Sequence, residues 1–366
     1  MKRIFILAFT ALLLCLSCAP RMGYVTITGF AQGGTYTVKF NMEGVEETPE
    51  QIKASVDTIL KHIDFSLSGY NKNSILSRFN AGCSVKPDSF FLDIYTRAYE
   101  IYEATGGAVD VAAGPLFDLW GFGFSTGEMP SDEKIAHVME DCGLKNFVRD
   151  IRSAMVFDKI SQYGMYRDER YPFKFDYEAE EYQLDREYTL PTLNYNAIAQ
   201  GYSCDVVARY LYSLGVKDML VDIGEIFCDG VNPSGQPWSL GIDRPVDGNQ
   251  EPGAQIQGIF RAPAGPHGIV TSGNYRKFYI RDGKKYAHTI DPRTGYPVDH
   301  NLLSATVVAP DATTADAYAT YCMVIGLEAA MEFISSRPDL EACLIYDDNG
   351  AYSTWCSSGF TLESLQ

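Results

Sequence analysis

Basic residues are scarce in this 366-residue chain: 30 Lys and Arg stand against 47 Asp and Glu, a formal net charge of −17. Nucleic-acid binding needs a basic face that neutralises phosphate, so this balance argues against it. Long apolar runs are missing too. The longest, from Ile4 to Leu16, falls short of the roughly 20 residues that cross about 30 Å of hydrocarbon. There is no CxxC pair, no GxxxxGK[ST] phosphate loop, no internal repeat and no collagen-like period among the 32 Gly and 17 Pro. Charged residues are only 21% while hydrophobic ones reach 46%, which excludes global disorder because there is ample apolar surface to bury. The length allows one large domain or two average ones.

What is present begins with a targeting segment. Lys2 and Arg3 precede the apolar run, and residues 1–17 read as a secretory signal. The signal ends Leu16-Ser17-Cys18, which resembles a bacterial lipobox, in which the Cys becomes the lipidated first residue. The alternative is an ordinary cleaved signal with Cys18 incidental. Residues 18–23 are then a tether and 24–366 the folded unit, with an acidic insertion at about 150–190. Within it, residues 168–187 hold eight acidic, three basic and five Tyr or Phe residues without a period, which reads as a solvated surface segment. Without the signal and Cys18, seven of the nine cysteines remain, and no pairing can be read from their spacing.

Periodicity predicts an alternation of strands and helices. Strands are expected at Tyr24–Phe30, Thr35–Phe40, Met219–Ile223, Trp238–Ile242, Gln255–Arg261, Leu303–Ala309, Cys343–Tyr346 and Tyr352–Cys356. Apolar residues at helical spacing predict helices over Gln51–Asp64, Asp88–Ala104 and Tyr202–Leu214, and one long helix over Thr314–Ser335. Asp282-Gly283 between Tyr275–Arg281 and Lys284–Ile290 is a two-residue hairpin signal.

Four clusters carry residue types suited to chemistry. In His288-Thr289-Ile290-Asp291-Pro292-Arg293-Thr294-Gly295-Tyr296-Pro297, a histidine stands beside a turn tightened by Pro and Gly, a setting for a general base near neutral pH. In Thr314-Ala315-Asp316-Ala317-Tyr318-Ala319-Thr320, Asp316 and Thr320 are four apart and share a helix face. One carboxylate and one hydroxyl suit Mg²⁺, which keeps waters and takes further ligands from substrate phosphates. Asn194-Tyr195-Asn196-Ala197-Ile198-Ala199-Gln200-Gly201-Tyr202 is a small-residue turn entering a helix, where backbone groups are free to approach a ligand. Gly106-Gly107-Ala108-Val109-Asp110, with Leu119-Trp120-Gly121-Phe122-Gly123 downstream, joins glycines to aromatics that suit a flat ring. Each has a purely structural reading when taken alone: a core histidine, a helix cap, a helix entry, a buried turn.

In this order and spacing, the HxIDPxTGxP, ADAxAT and GPLxxLWGFG runs resemble the ApbE-type FAD:protein FMN transferases. The resemblance spans roughly Gly29 to Gly350, apart from 168–187. It implies a single α+β domain, similar to a T-fold, with a mixed, largely antiparallel sheet flanked by helices. It implies FAD as substrate, Mg²⁺ as cofactor, and attachment of FMN through a phosphoester to a Thr or Ser of an exported acceptor, such as a redox-complex subunit, with loss of AMP. By the same resemblance His288 is the base. Asp316, Thr320 and the Ala197 carbonyl hold Mg²⁺, and Gln32, Tyr70, Ala108, Val109, Asp110, Asn194, Gln200 and Ile290 contact the dinucleotide. The place implied is the cell envelope, lipid-anchored through Cys18 and facing the periplasm. The chain departs from the family pattern in several places. Gln32 replaces a usual Met, Gln200 a Lys and Asn194 an Asp. One glycine is missing at Ile223-Gly224-Glu225, and Ala319 offers no side-chain oxygen, which implies more water on the metal. Other readings are an Mg²⁺-dependent FAD pyrophosphatase, a flavin-binding lipoprotein without turnover and a structural lipoprotein. Retention of His288 and Asp316 argues against the flavin-binding lipoprotein, and the clustered motifs argue against the structural one.

Overall fold

The computed structural model describes residues 23–83, 85–122, 129–147, 192–247, 249, 253–281 and 283–364. The expected signal, the Cys18 tether apart from its last residue, and the acidic insertion lie outside the described residues. None of the helices described is long and apolar enough to cross a membrane.

The chain opens with a hairpin, β1 (Tyr24–Ala31) and β2 (Gly34–Asn41), followed by helices α1 (Pro49–Leu67), α2 (Ile75–Asn80), α3 (Ser89–Ala104), α4 (Gly114–Leu119), α5 (Asp132–Asp141) and α6 (Ala199–Ser213). Then come β3 (Met219–Asp222), β4 (Ile226–Asp229), β5 (Ser239–Asp243), β6 (Ile256–Arg261), β7 (His267–Gly273), β8 (Phe278–Arg281) and β9 (Lys284–Ala287). The short strands β10 (Ile290–Asp291) and β11 (Tyr296–Pro297) lead to β12 (Leu302–Ala309). Helices α7 (Ala312–Ile325) and α8 (Leu327–Ser335) precede β13 (Glu341–Asp348), β14 (Ala351–Cys356) and β15 (Leu362–Glu363).

Eight strands form one open sheet in the order β1-β2-β3-β4-β7-β12-β13-β14, and each of its ladders is antiparallel. Alternation along each strand sends successive side chains to opposite faces. Val270 and Val307 join the core under α7 and α8, while their neighbours Ile269 and Val308 join a second core under the three-stranded sheet β15-β6-β5. β12 is therefore buried on both sides. Helices α1, α3 and α6 cover the other half of the helical face, against Val38, Phe40 and Val221. The architecture is the α+β arrangement expected from the sequence.

Local chemistry explains the helix starts. Thr48 and Gln51 form a reciprocal cap at α1, with Pro49 in the first turn. Asp88 caps α3 through the Phe91 N–H. The hairpin β8–β9 pairs Arg281 with Lys284 across the expected two-residue turn, though β8 starts at Phe278 rather than Tyr275.

The long helix expected over Thr314–Ser335 is two helices. Gly326 ends α7 at φ +81°, a left-handed conformation that breaks the helical ladder and lets the His300 ring pack close to its Cα. The apolar period runs on across that break, so the pattern alone did not reveal it. β7 was not expected either: His-Gly-Ile-Val-Thr-Ser-Gly has two glycines and no alternation, yet it is a central strand. Gly268 is there because an added Cβ would sit 2.3 Å from the Ala312 backbone.

Candidate functional site

Two close backbone approaches place α7. Gly201, in the first turn of α6, lies so near Ala312 that a Cβ would come 2.3 Å from its carbonyl oxygen. Gly268 meets the same residue from β7. The α7 N-terminus is then clamped by two carboxylates. Asp311 accepts from the Thr314 N–H at 2.8 Å. The buried Asp205, from α6, accepts from the N–H groups of Ala312 and Thr313 at 2.8 and 2.9 Å. Negative charge at a helix N-terminus is favourable there. Burial pushes the Asp205 carboxyl up to about 6.

One turn into α7, Asp316 is 5% exposed and accepts from the Gly201 N–H at 3.1 Å. Thr320, a further turn along, lies 3.3 Å from the Ser272 hydroxyl at the end of β7. Both line a cavity of about 340 Å³. That cavity also gathers Asn194, Ala197 and Gln200 from the turn before α6, Ala108, Val109 and Asp110 from the glycine turn, and His288 and Ile290 from beyond β9. Residues up to 216 positions apart in sequence, Ala108 to His288 to Asp316 and Val324 among them, thus share one wall system.

The histidine has a defined orientation. The Lys277 carbonyl accepts both the His288 backbone N–H and, at 3.1 Å, the ring Nδ1–H. A carbonyl only accepts, so the neutral ring carries its proton on Nδ1 and leaves Nε2 as the basic atom. Burial holds the His288 pKa below its ordinary value. Phe122 packs edge-to-face on the ring at 6.5 Å and stacks on Tyr279 at 5.1 Å. Tyr279 stacks on Tyr286, and Tyr286 on Trp120. The Trp120 indole N–H donates to the Gly295 carbonyl at 2.8 Å, tying the aromatic column to the turn after His288. That turn is braced from within, because Asp291 accepts from the Arg293 backbone N–H and guanidinium, each at 2.9 Å.

The other expected contacts divide. The Asp110 carboxylate lines the cavity but also accepts from Ala112 at 2.8 Å and Leu144 at 3.1 Å, and burial raises it to about 6. Asn194 accepts from the Asn196 N–H at 2.9 Å, which tightens the turn that presents Ala197. Gln200 donates to the Ile223 carbonyl at 3.3 Å and packs against Gly224. Gln32 is not a cavity wall. It occupies the β1–β2 turn at φ +52° and donates to the Ser203 hydroxyl, so it braces α6 from outside. Tyr70 is 68% exposed and also lies outside these walls.

Sequence reasoning missed part of the site. Glu225 faces the cavity, where burial first and the Asp316 charge second push its carboxyl well up. Arg276 and Lys277 add positive charge to the walls, and the Arg276 guanidinium pairs with Asp243 at 2.5 Å. The missing second glycine at 223–225 was the one available signal for Glu225. Nothing in the hairpin period marked Arg276 or Lys277.

The donor set fits Mg²⁺. Two carboxyls, Asp316 and Glu225, share this corner, and desolvation raises both. The donors around them are hard oxygens: a carboxylate, a hydroxyl and the carbonyl-bearing turn at Ala197. Among the described residues no group of three or more His, Cys, Asp or Glu side chains forms a metal cage. A cation held here would complete its shell with water and substrate oxygens, as Mg²⁺ usually does.

An α+β domain with a cavity that joins hard-oxygen donors to a half-buried, oriented histidine has the parts that phosphate chemistry uses. Comparison with known proteins narrows this class. A model of the ApbE family matches residues 32–344, and the chain belongs to that family. It is 30% identical over 363 residues to the FAD:protein FMN transferase of Haemophilus influenzae, covering 97% of this chain and 96% of that protein. It is 33% identical over 318 residues to the protein of the same name from Escherichia coli K12, covering 85% and 81%. Among solved structures it resembles the flavin transferase ApbE from Vibrio cholerae, with TM-score 0.69 and 29% identity over 92% of this chain and 97% of that one. The flavinyl transferase ApbE from Pseudomonas stutzeri matches at TM-score 0.70 and 27% identity, over 92% and 95%.

Proposed function

We propose that this chain is an FAD:protein FMN transferase: it cleaves FAD at the diphosphate and attaches FMN to a Thr or Ser hydroxyl of an acceptor protein. The observation that carries this reading is the convergence of His288, Asp316 and Thr320 on one cavity with room for a ligand.

In the proposed reaction the acceptor oxygen attacks the phosphorus of the FMN half. A new O–P bond forms, the bond from that phosphorus to the bridging oxygen breaks, and AMP leaves with the bridging oxygen. The hydroxyl proton goes to His288 Nε2, the ring atom left basic by the Nδ1 bond to Lys277. Asp316, Thr320 and the Ala197 carbonyl would hold Mg²⁺, which when bound would supply charge neutralisation on the diphosphate. Arg276 and Lys277 add positive charge to the same cavity. The less polar walls at Ala108, Val109, Ile290, Phe117 and Phe122 receive the flat ring, and Asp110 stiffens that turn through its backbone bonds. A positioned base contributes about 10²- to 10⁴-fold, so positioning and charge neutralisation supply most of the remaining acceleration.

The signal and lipobox-like Cys18 support an enzyme tethered at the cell envelope, facing the periplasm, with exported flavoproteins such as redox-complex subunits as acceptors. The deciding experiment mixes the protein with FAD, Mg²⁺ and a threonine-bearing acceptor domain. Flavin fluorescence on the acceptor band in a denaturing gel supports transfer. Free FMN and AMP with an unlabelled acceptor would mean hydrolysis instead.

A further inference from the structure

Seven free cysteines lie among the described residues, and two of them, in the core on the face of the sheet away from α7, face each other. β13 and β14 pair antiparallel with Cys343 directly opposite Cys356. The hairpin turn is Asn349-Gly350, both with positive φ, so Asp348 and Ala351 flank a two-residue loop. Such flanking residues exchange hydrogen bonds, and the pairs then alternate between bonded and non-bonded down the ladder. Five steps from the turn, Cys343 and Cys356 form a non-bonded pair. Two observations confirm the phase. The Asp347 N–H points away from β14 to the Asn301 carbonyl at 2.9 Å, and the Ser357 N–H donates across to the Ala342 carbonyl at 2.9 Å. Non-bonded pairs bring opposed Cα atoms to about 4.5 Å, inside the roughly 4.4–6.8 Å that a disulfide spans.

We propose that Cys343 and Cys356 are a redox-active pair that closes to a cross-strand disulfide and pins β14, the edge strand of the eight-stranded sheet. The pair is unequal. Cys343 is fully buried, while Cys356 is partly exposed. A hydrogen bond from the Cys343 thiol holds the Cys356 thiol below its usual range and raises that of Cys343. Cys356 is accordingly the attacking sulfur, since the thiolate is the nucleophile. Its thiolate attacks a small-molecule or protein disulfide, forming a mixed disulfide and releasing one donor thiolate. The Cys343 sulfur then attacks Cys356 Sγ and releases the second donor thiol. Two electrons and the two thiol protons pass to the donor, which ends as a dithiol or two monothiols. An oxidising compartment supplies such donors.

The test uses the full chain, reduced and then exposed to excess glutathione disulfide, followed by alkylation of remaining thiols. Cleavage before Asp339, Asp347 and Asp348 places Cys343 and Cys356 on separate peptides, 339–346 and 348–366. The expected result is one joined species that is about 2 Da lighter than the sum of the two reduced peptides and separates on reduction. In parallel, reduction lowers the thermal midpoint of the oxidised chain by about 2–6 °C. Cys356→Ser abolishes both effects and leaves Cys343 alkylated. Two separately alkylated peptides after oxidation would overturn the pairing. A joined species with an unchanged midpoint would overturn the pinning of β14. Both measurements are made on the unaltered chain, so a variant that fails to fold leaves the proposal open to refutation.

Discussion

Replacing Gly201 with Ala sets two effects of known size against each other. In a helix, Gly→Ala gains about 1 kcal/mol from propensity alone. At this position the new Cβ would lie 2.3 Å from the Ala312 carbonyl oxygen, 2.7 Å from its carbon and 2.9 Å from the Asp316 Cβ. Ordinary contact begins near 3.4 Å, so α6 and α7 must part by about 1 Å. The obstacle is backbone held by the Asp205 clamp, which has no rotamer to adopt. Overpacking of that kind costs about 1–3 kcal/mol, and it outweighs the propensity gain. The parting also pulls the Gly201 N–H from Asp316, the bond that fixes the carboxylate at the cavity wall. A 1 Å misplacement of catalytic geometry costs on the order of 10²-fold. The expected outcome is a thermal midpoint a few degrees lower and a kcat for AMP release from FAD reduced about 10²-fold. Gly34→Ala, whose Cβ meets nothing within 4 Å, serves as the neutral control. A Gly201→Ala protein with unchanged midpoint and unchanged kcat would refute the claim that this contact positions the site.

Other substitutions probe the site directly. His288→Ala should leave FAD binding, followed by flavin fluorescence quenching, within a few-fold while slowing transfer by about 10²- to 10⁴-fold; equal loss of both would mark the ring as structural. Because burial lowers the His288 pKa, the neutral base persists in more acid solution, so the acid limb of the kcat/KM profile should fall below pH 6.5; a limb above 6.5 would contradict this. Asp316→Asn should abolish Mg²⁺-dependent AMP release and the rise in thermal midpoint on adding Mg²⁺, which at 100 times Kd is worth about 2.7 kcal/mol; an undiminished Mg²⁺ shift would remove Asp316 from the metal corner. Glu225→Gln should raise stability without metal at neutral pH, measured by urea unfolding, by removing the cost of keeping this raised carboxyl protonated; a less stable protein would show that the carboxyl is held by partners rather than strained.

Much of the strand and helix content was readable because burial on one face imposes a period. The apolar residues Ile52, Val56, Leu60 and Ile63 of α1 and the alternation of β2 announce themselves, and both were placed within a few residues of their observed ends. The failures share a cause. β7 lies between two layers, so Gly268, Ile269 and Val270 are buried on both faces, and Gly268 answers to the approach of Ala312 rather than to the strand. The break at Gly326 depends on where His300 packs, which no local pattern encodes. Likewise Gln32 sits at a motif position yet reaches Ser203 rather than the cavity, because its turn leans on the outer side of α6.

The site itself is a matter of long-range contact. Spacing alone explains why Asp316 and Thr320 share a face, but not why that face is buried rather than wet. The reason is a chain of close approaches: Gly268 admits Ala312 to the sheet, Gly201 admits it to α6, and Asp205 secures the helix end. With α7 so placed, Asp316 loses its water and lines one cavity together with Glu225 and His288. Two carboxyls are costly in such a place unless something positive joins them. Both carboxyls are accordingly pushed up by desolvation, so the cost of ionising them is confined to one corner. A divalent cation held at Asp316 would offset that cost, and the phosphate oxygens completing its shell would then share one cavity with His288.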